Sequence, residues 1–114
     1  MAYEVREEAV TLENEIKNVL KSGKVVLGTR QTLKLLKLGK LKVVVMAKTA
    51  PPDVVSDVNY YAKLSNVPVL VFSGNSYDLG LLCGKPFPVT LLGVIDLGES
   101  RLLELVKGEE EGGK

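Results

Sequence analysis

The sequence predicts an α/β fold in which a central sheet carries helices on both faces. Short apolar runs bounded by glycine or turn residues are typical of buried strands. Segments with apolar residues at 3.6-residue spacing, typical of amphipathic helices, alternate with those runs. The predicted order of elements is αβαβαβαβα. At 114 residues, the chain is long enough to bury one core as a single domain.

The first three elements are a helix, a strand and a second helix. Ile16 and Val19 belong to a 3.6-residue apolar pattern that predicts an amphipathic helix over residues 6–22. The continuous Val-Val-Leu of residues 24–27 predicts a buried strand. Helical spacing then returns over residues 29–38, and Gly39 supplies a C-terminal stop.

The middle of the chain repeats this pattern. LKVVVMA, residues 41–47, predicts a second buried strand, and VPVLVF, residues 67–72, a third. Between them, Pro51, Pro52 and Asp53 suit the first turn of a helix. Six residues of that helix are expected to face inward: Val54, Val55, Val58, Tyr61, Ala62 and Leu64.

The last part of the chain is predicted to form a short helix, a fourth strand and a final helix. The short helix has Asn75 or Ser76 as its cap and Gly84 beyond its end. The strand spans residues 89–96, and the final helix lies around Glu99–Val106. We expect one domain over residues 1–107 and a flexible acidic tail over residues 108–114.

Composition excludes several classes of function. Cys83 is the one cysteine and histidine is absent, which excludes intrachain disulfides, histidine-based triads and zinc sites. No metal or cofactor is therefore expected. The acidic start of the chain does not resemble a signal peptide, and no apolar run approaches the about 20 residues of a membrane span. A cytoplasmic protein is predicted, with no membrane partner.

Positive charge is concentrated in one segment, although the formal net charge of the chain is only +1. Residues 17–48 contain no acidic residue and nine cations: Lys17, Lys21, Lys24, Arg30, Lys34, Lys37, Lys40, Lys42 and Lys48. A solvated helix face usually mixes both signs of charge, whereas an acid-free segment attracts polyanions. The segment therefore favours nucleic-acid binding over a merely solubilising surface.

The turn between the first strand and the second helix is one candidate binding element. Free backbone N–H groups and the positive end of the helix dipole would face outward there, so an anion could bind. Arg30, Lys34 and Lys37 follow at helical spacing and share one face. The turn has neither of the common nucleotide-binding glycine patterns.

The loop GKPFPV is the second candidate. Phe87 lies between two prolines, where its ring could stack on an unpaired base or simply cap the core. Lys85 beside it favours the stacking role. Cys83 is expected to pack as a small apolar residue.

Two long motifs resemble the L-thirty-e family of large-subunit ribosomal proteins of archaea and eukaryotes. The first is GKVVLGTRQTLKLLKLGKLKVVVM after Ser22, and the second is DLGLLCGKPFPVTLLGVIDLG from Asp78. NYYAKLSNVPV between them also resembles the family, so the resemblance spans about Glu13 to Arg101. It implies a three-layer α/β/α sandwich with a four-stranded mixed sheet.

The resemblance also implies binding to kink-turn RNA, a bent internal loop with sheared G·A pairs beside a bulge. Matching the family's motifs gives nine RNA-binding residues: Gly28, Thr29, Arg30, Gln31, Lys34, Thr49, Lys85, Phe87 and Val89. Irregular RNA of this kind exposes base edges that side chains can reach. Arg30-Gln31 replaces the Asn-Glu of the wider kink-turn superfamily, and Thr49 replaces the asparagine frequent in this branch.

The sequence therefore predicts a non-catalytic ribosomal protein of the large subunit that stabilises kink-turn RNA. Its expected partners are ribosomal RNA and neighbouring ribosomal proteins, and the free protein is expected to be a monomer. A kink-turn protein of a small ribonucleoprotein or a ribosome-associated factor is the alternative of the same class. A small α/β enzyme or ligand sensor using Asp78 and Lys85 is the distant alternative.

Overall fold

The computed structural model describes residues 12–102, which contain four helices and four strands. The helices are α1 Leu12–Ser22, α2 Thr29–Lys37, α3 Pro52–Ser65 and α4 Ser76–Leu82. The strands are β1 Lys24–Leu27, β2 Val43–Ala47, β3 Val69–Phe72 and β4 Leu91–Asp96. Helices and strands alternate along the chain as predicted.

The four strands form one mixed sheet in the order β1-β4-β2-β3. β4 runs antiparallel to both β1 and β2, while β2 and β3 are parallel. Val25 of β1 and Val43 of β2 both pair with Val94, so they form one row across three strands. The two inner strands, β4 and β2, therefore connect the whole sheet.

Two apolar clusters cover the two faces of the sheet. On one face, Ile16 of α1 and Leu79 of α4 pack against Val45 and Leu92 of the inner strands. The opposite cluster is formed by α2 and α3 with other residues of the same strands. The architecture is the predicted three-layer α/β/α sandwich with a four-stranded mixed sheet.

The edge strands are less buried than their apolar sequences suggest. All five residues of β2 are buried, whereas β1 is only partly buried and Val71 of β3 is exposed. A strand at the edge of a sheet lacks a neighbour on one side, so its side chains remain partly in contact with water. The prediction that residues 24–27 form a buried strand is therefore only partly correct.

The expected inward position of Leu64 is wrong, because this side chain is 66 % exposed. Val58 and Ala62 of α3 are buried, and Leu64 lies two residues, about 200° of helical rotation, beyond Ala62. It therefore faces away from the sheet. The other five predicted residues are buried or partly buried on the side that packs against β2 and α2.

The helix ends agree with the sequence except near residue 99. Asn75 caps α4 through a capping box, in which its side chain accepts from the Asp78 N–H and its own N–H donates to the Asp78 carboxylate. The final helix predicted around Glu99–Val106 does not begin at Glu99, where the structure has a turn. The remainder of that helix beyond residue 102, the start of the first helix and the predicted tail lie outside the described residues.

Candidate nucleic-acid interface

Three separate segments meet at one end of the sheet, which we call the loop end. It consists of residues 28–31, Thr49 and residues 85–89. β1 and β2 finish at this end and β4 begins there, because β4 runs antiparallel to both. The predicted binding residues are therefore brought together by strand direction, although they are far apart in sequence.

Hydrogen bonds connect the three segments to one another. The Gly28 N–H donates to the Leu91 carbonyl over 3.0 Å, which fixes the first turn against the start of β4. The Thr49 hydroxyl accepts from the Ser76 N–H over 3.2 Å, and the Val89 N–H donates to the Ser76 carbonyl over 2.9 Å. Ser76, at the start of α4, thus connects the second segment to the third.

Gly28 gives the first segment a shape that other residues adopt only with strain. Its φ and ψ are 109° and 150°, in a region that is essentially restricted to glycine. A Cβ at this position would meet nothing within 4 Å, so the outer side of the turn is open. No side chain caps α2, and the first N–H groups of a helix have no acceptor within the helix. These donors are available to an anion or a base edge.

The cations of α2 continue from this open turn. Arg30, Gln31 and Lys34 are exposed, and Arg30, Lys34 and Lys37 border one open groove along the helix. This arrangement confirms that the three cations share a face. The Lys37 ammonium lies 5.0 Å from the ring centroid of Tyr61, at the other end of the helix. Arg30 is therefore the cation of α2 that adjoins the loop end, and Lys34 lies one helical turn beyond it.

Phe87 is presented to solvent and does not close the core. Its side chain is 51 % exposed and borders a pocket together with Tyr77, Leu81, Lys85 and Pro86. Tyr77 and Leu81, which were not among the predicted site residues, are exposed and lie one helical turn apart on α4. Their apolar i, i+4 spacing was a usable signal. The pocket therefore combines aromatic rings with the charge of Lys85.

The loop carrying Phe87 is packed tightly on α4. Gly80 lies directly under this loop, and a Cβ there would collide with the main-chain carbonyl oxygen of Phe87. The Lys85 N–H also donates to the Gly80 carbonyl over 2.9 Å. The exposed ring of Phe87 therefore belongs to a loop whose main chain is held in place by α4.

The remaining predicted residues have different environments. Thr49 is exposed, and since its oxygen accepts from Ser76, its O–H remains able to donate to a ligand. Val89 is 1 % exposed and belongs to the apolar cluster under α1 and α4. Its side chain anchors the loop in the core and is not accessible to RNA.

The structure gives little support to catalytic chemistry at Asp78 and Lys85. The Asp78 carboxylate accepts the Asn75 N–H within the capping box of α4, so it has a structural partner. Burial raises the pKa of the nearby Cys83 thiol, and the charge of Lys85 partly opposes that rise. Between residues 12 and 102, no group of three acidic or cysteine side chains could hold a metal ion.

None of the helices in the described range is long and apolar enough to span a membrane.

Comparison with known proteins identifies similar chains over nearly the whole length. The model of the ribosomal protein L7Ae/L30e/S12e/Gadd45 family matches residues 10–104. A "large ribosomal subunit protein eL30" of Sulfurisphaera tokodaii is 50 % identical over 100 residues, 88 % of this chain and 94 % of the relative. The protein of that name from Methanocaldococcus jannaschii is 46 % identical over 107 residues, 94 % of this chain and 97 % of the relative.

The similarity extends to eukaryotes and to the fold. The protein named eL30 from Trypanosoma brucei brucei is 42 % identical over 100 residues, 88 % of this chain and 95 % of the relative. A solved structure of a Bacillus halodurans protein of unknown function superimposes with a TM-score of 0.72 at 23 % identity, covering 84 % of this chain and 95 % of that one. At that identity the structural match concerns the fold alone.

Proposed function

The chain belongs to the ribosomal protein L7Ae/L30e/S12e/Gadd45 family, and on this basis we propose that it is a structural, RNA-binding protein of the large ribosomal subunit. It acts without catalysis, as part of the ribosome in the cytoplasm. Its RNA target is a kink-turn, which it holds in the bent form through the loop end. Relatives of 42–50 % identity that carry the large-subunit name support the ribosomal assignment over that of a separate small ribonucleoprotein.

The observation that carries the kink-turn proposal is the convergence of an uncapped helix start with a half-exposed aromatic ring. Backbone donors at the start of α2 suit phosphate oxygens or guanine edges, since no side chain competes for them. Arg30 and Lys34 then hold adjacent phosphates. These contacts read a fixed RNA shape because Gly28 and Leu91 hold the turn against β4.

Phe87 supplies the second half of the contact. Its exposed face stacks on a nucleotide that the kink has removed from the helix, a contact typically worth about 1–3 kcal/mol. The Thr49 hydroxyl, joined to the start of α4 through the Ser76 N–H, donates to a base or phosphate at the same end of the sheet. A regular duplex has no unstacked nucleotide and hides its base edges in a narrow groove, so it satisfies few of these groups.

A titration with two RNA hairpins at near-physiological salt tests the proposal. One hairpin carries a kink-turn, and the other has its G·A pairs replaced by Watson–Crick pairs. We expect clear preference for the kinked hairpin. Arg30→Gln is expected to weaken that binding, and Lys17→Gln, which removes the same charge from an exposed position on α1, is expected to leave it unchanged. Equal affinity for the two hairpins would contradict the proposal.

A further inference from the structure

The acid-free segment of residues 17–48 does not form one surface in the folded protein. Arg30, Lys34 and Lys48 lie at or beside the loop end, but five of its nine cations lie at the opposite end of the sheet. Lys63 from α3 joins them there. We call this surface the lysine end, and its members are Lys21, Lys24, Lys37, Lys40, Lys42 and Lys63.

The sheet brings two of these lysines to the same end of its strands. Lys24 pairs with Asp96 at the end of β4, and Lys42 precedes Val43, which pairs with Val94. They therefore flank the end of β4 on its two sides, about 10 Å apart, which is two strand spacings. The Lys42 N–H also donates to the Val94 carbonyl over 2.7 Å.

The helices add the other members. Ser65 Oγ of α3 donates to the Leu36 carbonyl of α2 over 3.1 Å, so the C-terminal turns carrying Lys63 and Lys37 are adjacent. The Lys40 N–H donates to the Leu35 carbonyl over 3.0 Å, which folds Lys40 back against the end of α2. The Glu99 N–H donates to Ser22 Oγ over 2.9 Å, and this places the end of α1, with Lys21, beside the end of β4.

All six lysines are exposed, and none forms an ion pair within the described range. Asp96 and Glu99 are the acidic residues of the described chain at this end, and the Asp96 carboxylate accepts the Gly98 N–H over 3.0 Å. Lys21, Lys37 and Lys63 lie in the last turns of helices, where a cation stabilises the helix dipole without any ligand. Helix stabilisation does not explain Lys24, Lys40 and Lys42.

From this distribution we infer that the lysine end is a second RNA-binding surface, which holds the phosphate backbone of an RNA helix while the loop end holds the kink-turn. Protein interfaces are depleted in lysine, whereas nucleic-acid interfaces are strongly positive. The surface contains no uncapped helix start, so it contacts phosphates without selecting a sequence or a bent shape. The protein thus joins two RNA segments about one strand length apart.

The inference goes beyond the proposed function, and a three-component binding experiment tests it. The full chain is first saturated with the kink-turn hairpin, and a labelled plain RNA duplex is then titrated against that complex. We expect a complex of protein, hairpin and duplex. Lys40→Gln/Lys42→Gln should weaken duplex binding at least about tenfold and lower its salt slope by about 2, because each lost phosphate contact removes about 0.9. Hairpin affinity should stay within about twofold of wild type.

Arg30→Gln/Lys34→Gln is the matched control, since it removes the same charge from the loop end. It should lose hairpin affinity and keep duplex binding. Absence of the three-component complex, or an equal loss of duplex affinity in both double variants, would overturn the inference. Displacement of the duplex by an acidic polypeptide at equal charge concentration would assign the surface to an acidic protein and would also overturn it. Failure of the hairpin to outcompete its Watson–Crick control concerns the proposed function alone.

Discussion

The loop end and the lysine end, the two RNA-binding surfaces that we propose, differ in how they are built. At the loop end, Gly28 holds a rare backbone conformation, hydrogen bonds join three segments, and Phe87 is held half exposed. At the lysine end, hydrogen bonds also join neighbouring elements, but the lysines that surround the finish of β4 are long, exposed side chains. The first surface suits a particular RNA shape, whereas the second responds to charge density.

The positions of the cations in the sequence and the residues that give binding specificity in the structure need not coincide. Five of the nine cations in residues 17–48 lie away from the predicted kink-turn site. In the proposed function, selection of the RNA shape depends instead on a few residues that fix the main chain. Substitutions at the two ends should therefore separate stability, kink-turn affinity and general RNA affinity.

The largest effect is expected from Gly28→Ala. A Cβ is incompatible with φ of 109° and ψ of 150°, and relieving or bearing that strain should cost about 1–3 kcal/mol of unfolding free energy. Movement of the turn should also lower kink-turn affinity. Chemical denaturation and hairpin titration measure the two losses. Gly39→Ala is the control, because φ there is 70° but the residue lies at the lysine end.

Gly39→Ala should lower stability while leaving hairpin affinity unchanged. If both glycine variants lowered hairpin affinity in proportion to their loss of stability, the special shape of the Gly28 turn would not be required for binding.

Phe87→Ala should reduce kink-turn affinity by about 1–3 kcal/mol, the usual range for one stacked base. The midpoint of thermal unfolding should change little, because half of the ring is already exposed. Isothermal titration with the kink-turn hairpin and a thermal melt measure the two quantities. Tyr60→Ala removes a ring that is 61 % exposed on α3 and should leave hairpin affinity unchanged. A large fall in unfolding temperature with unchanged affinity would instead show that Phe87 serves the core.

The smallest effect concerns Cys83, which lies next to the loop end. Burial raises the pKa of its thiol, so the reactive thiolate should be scarcer in the folded protein than in the unfolded chain at the same pH. Alkylation at pH 8 should be slower in buffer than in denaturant. The charge of Lys85 opposes the rise in the Cys83 pKa. Lys85→Ala should therefore shift the pH dependence of the alkylation rate to higher pH, whereas Lys40→Ala should not. A shift to lower pH in Lys85→Ala would contradict the stated role of its charge.

Most of the fold could be predicted because local signals agreed with the final packing. The Asn75 cap and the stop at Gly39 marked helix ends, and the apolar run of β2 marked a strand buried on both faces. Strand order was not predictable from these signals. β1 and β3 therefore looked as buried as β2, although each has a neighbour on one side only. The apolar character of Leu64 suggested an inward position, but a residue two positions after the buried Ala62 lies about 200° around the helix and faces solvent.

The candidate site was predictable in part, and the reason differs among its residues. The turn at Gly28 could be found locally, because a glycine between a strand and a helix marks an uncapped helix start. The exposure of Phe87, the burial of Val89 and the division of the basic segment depend on how distant elements pack. The i, i+4 spacing of Tyr77 and Leu81 marks an apolar patch on α4, but its position beside Phe87 depends on how α4 packs against the Phe87 loop.

The most direct test of the difference between the two ends is residue-level mapping of RNA contact by amide NMR shifts. The uniformly labelled full chain is titrated with the kink-turn hairpin, up to one equivalent. We expect the amide signals of Gly28, Arg30, Thr49, Lys85 and Phe87 to shift first and most, while those of Lys40, Lys42 and Lys63 change little until a second RNA is added. Larger shifts at the lysine end than at the loop end would contradict the assignment of the kink-turn to the loop end.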